Sequence, residues 1–333
     1  MDSPPPSESP PLPFELTPTA RRLKVKERRQ GLRIIGVGGG KGGIGKSLLS
    51  ASLGIDLARR GHRVVLVDAD LGGANLHTCL GIEQPVVGIG DFLDHRMGGL
   101  DEVMTQTGVE NLTLVSGARD PLDVANLKHH QKLRFLRGIQ GLAADFVVLD
   151  IGSGTNFNVL DFFLVADHGI LTLVPEPTSI ENGYRFLKSA FYRRLKAVEK
   201  LYGIQDLLES VGRQTGATQG PRALLTEVSK RDPTVGRLLE LEMQRFRPRL
   251  VINMARTPAD FEVGDAVVAA WRKFFGLEMD YLGCIGYDDE VWRWVRLKRP
   301  LLVQSPGGAM AAAVRGIADH LLQLDVAHSS PAL

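Results

Sequence analysis

The stretch GGGKGGIGKS, residues 38–47, decides the fold. It satisfies two phosphate-binding patterns at once. Gly40 to Gly45 reads GxGxxG, after one apolar run and before a helical stretch, with Asp68 closing the next run. That is the dinucleotide fingerprint. Gly40 to Ser47 also reads GxxxxGK[ST], the P-loop. The residues after Gly45 separate the two. A dinucleotide's pyrophosphate needs only backbone N–H groups at a helix N-terminus. A nucleoside triphosphate brings more charge and a metal. Lys46 then reaches the β- and γ-phosphates and the Ser47 hydroxyl ligates Mg²⁺. The backbone from Gly40 through Lys41, Gly42, Gly43, Ile44 and Gly45 is expected to cradle the phosphates. The metal also calls for a carboxylate at the end of a neighbouring strand. Asp150, closing FVVLD (146–150), fills that place. Lys41 has no task in this scheme, because a P-loop needs no lysine directly after its first glycine.

Outward from the loop, the chain alternates short apolar runs with helical stretches. The runs are LRIIGV (32–37), VVLVD (64–68), LTLV (112–115), FVVLD, GILTLV (169–174), RLVIN (249–253) and YLGCI (281–285). They do not alternate with polar residues, as befits strands covered on both faces. Residues 47–61 have apolar positions at helical spacing and end at Gly61. The reading is an α/β fold: a doubly wound, mostly parallel sheet with helices on both faces. Residues 184–246 break the rhythm with amphipathic helices and no strand, so a helical insertion at about 186–246 is expected on one side of the sheet. The stripe Met310, Val314, Ile317, Leu321 and Leu324 marks a last helix. Its polar side (Arg315, Asp319, His320) is not the basic face of a membrane-surface helix, so it should pack on the core.

The expected layout is a proline-rich, basic tail at 1–30, a P-loop domain at 31–326 and a short tail at 327–333. The chain has 333 residues and a net charge of +2, which does not argue for bulk nucleic-acid binding. Basic residues do cluster in RRLKVKERR (21–29) and along 185–200. Both read first as solvated stretches, with contacts to a partner, DNA or anionic lipid as the sharper alternative. The two cysteines, Cys79 and Cys284, form no CxxC, read as buried, and argue against a disulfide framework. No run approaches a membrane-spanning length, and a cytoplasmic setting fits.

With both lysines in view, GGKGGIGKS resembles the deviant Walker A motif, KGGxGK[ST], of the MinD/ParA group of P-loop ATPases. The resemblance spans roughly 32–190 and 248–325 and is nearest the MinD and FlhG (YlxH) branch. It implies that Lys41 crosses a dimer interface to the partner's nucleotide. VVLVDADLGGANLH (64–77) resembles the family's switch I, with Asp70 orienting the attacking water and Asp68 nearer the metal. DIGSG (150–154) resembles Walker B and switch II, where Asp68 and Asp150 would meet Mg²⁺ through water. VPEPTSIENGYRFLK (174–188) resembles the segment whose prolines, here Pro175 and Pro177, shape the base pocket. VINMAR (251–256) resembles the strand whose asparagine, here Asn253, reads adenine; no NKxD occurs, so ATP is favoured over GTP.

The resemblance therefore implies a slow ATPase that dimerises on ATP, is stimulated by a protein partner, and positions or regulates a cellular structure. A DNA-partitioning ATPase and an iron–sulfur carrier share this loop and stay open, the second opposed by the cysteine count. So does peripheral membrane association. Two departures mark this chain: its N-terminal tail lacks the branch's glutamine-containing activation helix, and its C-terminus lacks a basic amphipathic one.

Overall fold

The structure is a computed structural model that describes residues 29–117, 127–215 and 220–329. The tail at 1–28 with most of the 21–29 basic run, part of the 213–221 loop, and 330–333 lie outside the described residues.

Strand β1 (Arg33–Gly39) runs through the centre of the sheet and delivers the P-loop to the start of helix α1 (Lys46–Arg59). Gly61 follows α1 with φ of +88°, the left-handed stop that the sequence suggested. Then come β2 (Val64–Asp68), the short α2 (Leu76–Cys79) and α3 (Ile89–Leu93), β3 (Met104–Gln106) and β4 (Leu112–Val115). The middle of the chain gives α4 (His129–Gln140), β5 (Phe146–Ser153), α5 (Phe157–Val165), β6 (His168–Leu173) and α6 (Pro177–Tyr202). Three further helices follow without a strand: α7 (Gln205–Thr215), α8 (Pro221–Arg231) and α9 (Pro233–Gln244). The chain closes with β7 (Arg249–Ala255), α10 (Pro258–Phe275), β8 (Asp280–Gly286), α11 (Asp289–Arg296), α12 (Leu301–Gln304) and α13 (Ala309–Ser329).

Among the described residues the sheet has eight strands in the order β3-β4-β2-β5-β1-β6-β7-β8. Every pairing is parallel except β3 with β4. Successive side chains on a strand point to opposite faces, and both faces are buried here. Ile34, Val147, Leu171 and Ile252 enter one core layer, while their neighbours Ile35, Val148, Ile170 and Val251 enter the other. The first layer is covered by α3 to α10, the second by α1, α2, α12 and α13. The helices α7, α8 and α9 all add to the first layer through Val211, Val228, Leu239 and Met243.

Met310, Val314, Ile317 and Leu321 are buried in the second layer, so α13 is a core helix. It runs to Ser329, beyond the expected boundary at 326. The cysteines depart from expectation: Cys79 and Cys284 are both half-buried rather than buried.

Candidate nucleotide site

In a parallel sheet the strand C-termini share one edge, and the loops leaving them build the site. The loop after β1 turns through Gly43 (φ +76°) and Gly45 (φ +83°), conformations that glycine adopts without strain. Gly40 is pressed against α6, where a Cβ would lie 2.2 Å from the Asn182 carbonyl oxygen. Gly45 is capped from the other side, with a Cβ 2.4 Å from Asn253 Nδ2. That amide donates to the Ile44 carbonyl at 2.9 Å, and Asn253 Oδ1 accepts from Met254 N at 2.9 Å. Asn253, buried at the end of β7, thus ties a second strand to the P-loop.

A cleft of about 510 Å³ opens over this loop. Gly42, Gly43, Gly45, Lys46, Ser47 and Asp70 line one part of it, and Asn253, Met254, Tyr287 and Trp292 another. Lys46 is only 8% exposed. Its Nζ donates to the Lys41 carbonyl at 3.3 Å. Burial pushes its ammonium below the ordinary value, against the pull of Asp150 and Asp70. Asp68 and Asp150 are paired in register on β2 and β5, and both are buried. Burial raises the Asp150 carboxyl to about 6, although the Ser47 hydroxyl, Lys46 and Ser50 favour its charged form. Burial, and next the neighbouring Asp150, push Asp68 well above the usual carboxylate range. Asp68 Oδ2 accepts from Leu76 N at 3.0 Å, and Asp150 Oδ1 accepts from Ser50 Oγ at 3.2 Å. The other two oxygens, Asp68 Oδ1 and Asp150 Oδ2, are buried with no hydrogen-bond partner.

Those two oxygens test the expected metal. Orphaned, hard carboxyl oxygens beside a serine hydroxyl are donors that suit Mg²⁺, which keeps waters and takes one or two carboxylates plus substrate phosphates. Among the described residues, no three His, Cys, Asp or Glu side chains could cage a metal by themselves. The residues fit a metal that arrives with its nucleotide.

Asp70 sits beyond the end of β2, beside the DIGSG stretch (150–154): a Cβ on Gly152 would lie 2.8 Å from Asp70 Oδ1. Its carboxylate therefore lines the cleft on the side of the glycine-rich loop. Lys41 faces away from that cleft. Its Nζ is 3.1 Å from Glu176 Oε2 and 3.4 Å from Thr178 Oγ1, at the start of α6. The structure does not bring Pro175 to the cleft lining; the loop it occupies lies on the Lys41 side. The far wall is instead Met254, Tyr287, Val291 and Trp292. Trp292 is 64% exposed on α11, a strongly amphipathic helix with no buried residue. The alternation of DEVWRWVR (289–296) could have pointed to it; its distance along the chain from the loop hid the connection.

Residues 35–301 match the family described as the CobQ/CobB/MinD/ParA nucleotide binding domain. The antiactivator FleN of Pseudomonas aeruginosa is 26% identical over 292 residues, covering 86% of this chain and 85% of that protein. The septum site-determining protein MinD of Escherichia coli K12 is 32% identical over 160 residues; the match covers 46% of this chain and 57% of that protein. Matches to other MinD proteins likewise span about half of this chain and half to two thirds of theirs. The solved MinD of Pyrococcus horikoshii, complexed with Mg-ADP, shares the fold with a TM-score of 0.60 and 20% identity, covering 88% of this chain and 97% of that one.

Proposed function

The chain belongs to the CobQ/CobB/MinD/ParA nucleotide-binding family, and on that premise we propose that it is an ATP-dependent dimerisation switch. Its target is a protein partner whose activity or placement it controls, in keeping with FleN being an antiactivator and MinD a septum site-determining protein. The observation that carries the reading is the division of labour between the two loop lysines. Lys46 is buried among Asp70, Asp150 and the Ser47 hydroxyl, while Lys41 is turned out of its own subunit's cleft. A cation so placed serves a second subunit better than its own.

In this proposal Lys46 binds the β- and γ-phosphates and the loop N–H groups hold them in line. Asp70 orients a water whose oxygen attacks the γ-phosphorus as the bond to the β-phosphate oxygen breaks, giving ADP and phosphate. Ser47 would hold Mg²⁺, with Asp68 and Asp150 reaching it through water. Bound there, the metal would offset phosphate charge. Lys41 of the partner subunit supplies further positive charge at the γ-phosphate. Asn253 and the Tyr287–Trp292 wall face the base. A partner protein would accelerate the step, since a switch has to outlast its signal.

The test is Lys41→Ala. ATP affinity should hold while ATP-dependent dimerisation and hydrolysis collapse, hydrolysis by up to about 10³-fold. Unchanged hydrolysis in this variant would overturn the trans role.

The competing readings have less support. On α6, Arg185 donates to Glu181 at 2.5 Å and Arg193 to Asp161 at 2.8 and 2.9 Å, so part of the basic face is neutralised within the fold. Cluster ligation needs thiolates, yet burial pushes the Cys79 thiol up to about 12 and raises Cys284.

A further inference from the structure

The helix α11 touches the core along one side only. Val291 and Trp294 pack, half-buried, on the second layer. Trp292 and Val295 lie three residues apart, hence on one face, and both line the nucleotide cleft. They stay 64% and 38% exposed. Gly43, Lys46 and Ser47 line the same cleft. Its polar end suits phosphate, which leaves its aromatic end for the organic part of the same ligand. An indole ring is a good platform there, because every base has a π-face. Tyr287 is less open: Arg256 stacks on it at 3.7 Å, whereas Arg296 lies 5.2 Å from the Trp292 centroid.

The far end of α11 leans on the segment that carries the acids. After Leu297 the chain turns through Lys298 with φ of +50°, a left-handed conformation that side chains disfavour. Lys298 N–H donates to the Val295 carbonyl and Arg299 N–H to the Trp294 carbonyl, both at 3.0 Å. This turn sets the Lys298 carbonyl against Gly81, where a Cβ would lie 2.7 Å from its oxygen. Pro300 Cδ would be 3.4 Å from the same Cβ. Gly81 N–H donates to the Thr78 carbonyl in α2 at 3.2 Å. Burial, and next the Lys298 ammonium, hold the His77 imidazolium of α2 below its ordinary value, a second mark of this contact. The start of α2 hangs on Asp68 through the Leu76 N–H. Between Asp70 and α2, Gly73 and Asn75 line the cleft, and Asn75 Nδ2 donates to the Gly73 carbonyl at 2.7 Å. Trp292 is thus connected to Asp70 by one short run of packed backbone.

Given the nucleotide site proposed above, we propose that α11 is a base-sensing arm: Trp292 stacks on the base, and the Lys298–Gly81 contact carries the arm's position to α2 and the Asp70 segment. Phosphate alone fills the loop and leaves the arm where it stands. A base fixes the arm, and with it the segment that holds the water-orienting acid. Hydrolysis is in this way confined to nucleotides and denied to bare polyphosphate.

Titration of the full chain with Mg·ADP and with Mg·pyrophosphate tests this. Trp292→Ala keeps the fold, since α11 buries none of its residues. It should weaken Mg·ADP about 10-fold or more and leave Mg·pyrophosphate unchanged, while Trp292→Phe keeps most of the ADP affinity. Hydrogen exchange followed by mass spectrometry reads the relay. In the unaltered chain Mg·ADP should slow exchange at 289–299 and at 78–83, and Mg·pyrophosphate should slow neither. In Trp292→Ala, saturating Mg·ADP should no longer slow 78–83. Unchanged ADP affinity in Trp292→Ala overturns the proposal, as does equal weakening of pyrophosphate. Slowing at 78–83 by pyrophosphate alone overturns the relay. If neither ligand binds the unaltered chain, the nucleotide reading itself falls, and the arm with it.

Discussion

At the residue scale, Lys46 and Asp150 carry opposite costs. Burial pushes the Lys46 ammonium below its ordinary value, and the carboxylates of Asp150 and Asp70 pull it back up. Lys46→Ala should lower ATP affinity by about 10- to 100-fold, the usual worth of a charged hydrogen bond, read by nucleotide titration. Asp150 is strained in the other direction. Its carboxyl is raised to about 6 from 3.8, so between those values the folded, nucleotide-free chain binds more protons than the unfolded one. Stability from this group is therefore present at low pH and lost as pH rises through about 6. Asp150→Asn should stabilise the nucleotide-free chain at pH 7 by roughly 1–3 kcal/mol, at about 1.4 kcal/mol per unit. Urea denaturation should show this gain shrinking below pH 5, while Mg²⁺-dependent nucleotide binding is weakened at pH 7. Lys46 and Ser47 could be singled out because spacing alone places them on a strand–loop–helix turn, and Asp150 because it closes an apolar run. The bond from Asn253 to Ile44 was not, since it joins residues 209 positions apart.

At the element scale, α6 links the P-loop to the core. Gly40 meets its backbone at Asn182, and Phe186 fills the space beneath Gly38, edge-on to Phe163 at 4.9 Å. Phe186→Ala should cost about 3–5 kcal/mol, since the side chain is fully buried. Gly40→Ala should instead push the loop off α6 and impair nucleotide binding more than stability, which titration and melting of the same sample separate. Seven of the strands announced themselves as apolar runs. β3 did not: it is three residues, Met104–Gln106, antiparallel at the sheet edge and only partly buried. An edge strand needs no apolar run, so its sequence carries no such signal. Likewise, α11 buries none of its residues, and its exposed tryptophan makes sense only beside the cleft.

At the scale of the whole molecule, the switch reading predicts a change of mass. Asp70→Ala, which should slow hydrolysis without removing phosphate contacts, should accumulate a dimer with ATP and stay monomeric with ADP by analytical ultracentrifugation. A monomer in both states would remove the dimer from the mechanism. The last helix makes a separate prediction. Val314 is fully buried in the second core layer, so Val314→Asp should abolish cooperative folding rather than change vesicle binding.

The sequence by itself determined the fold class, through apolar runs that alternate with helical stretches, and it carried the P-loop pattern within one strand, one turn and one helix; Asp68 and Asp150 close two other apolar runs, and only strand pairing sets them side by side. It also determined that α13 packs inward, through a single apolar stripe. Tertiary structure alone decided which way Lys41 faces, and that Pro175 stands away from the cleft while Trp292 borders it. These depend on sheet order β5-β1-β6-β7, which brings together strands far apart in the chain. No periodicity within one strand encodes its neighbours, and that is why the walls of the cleft could not be read before the sheet was assembled.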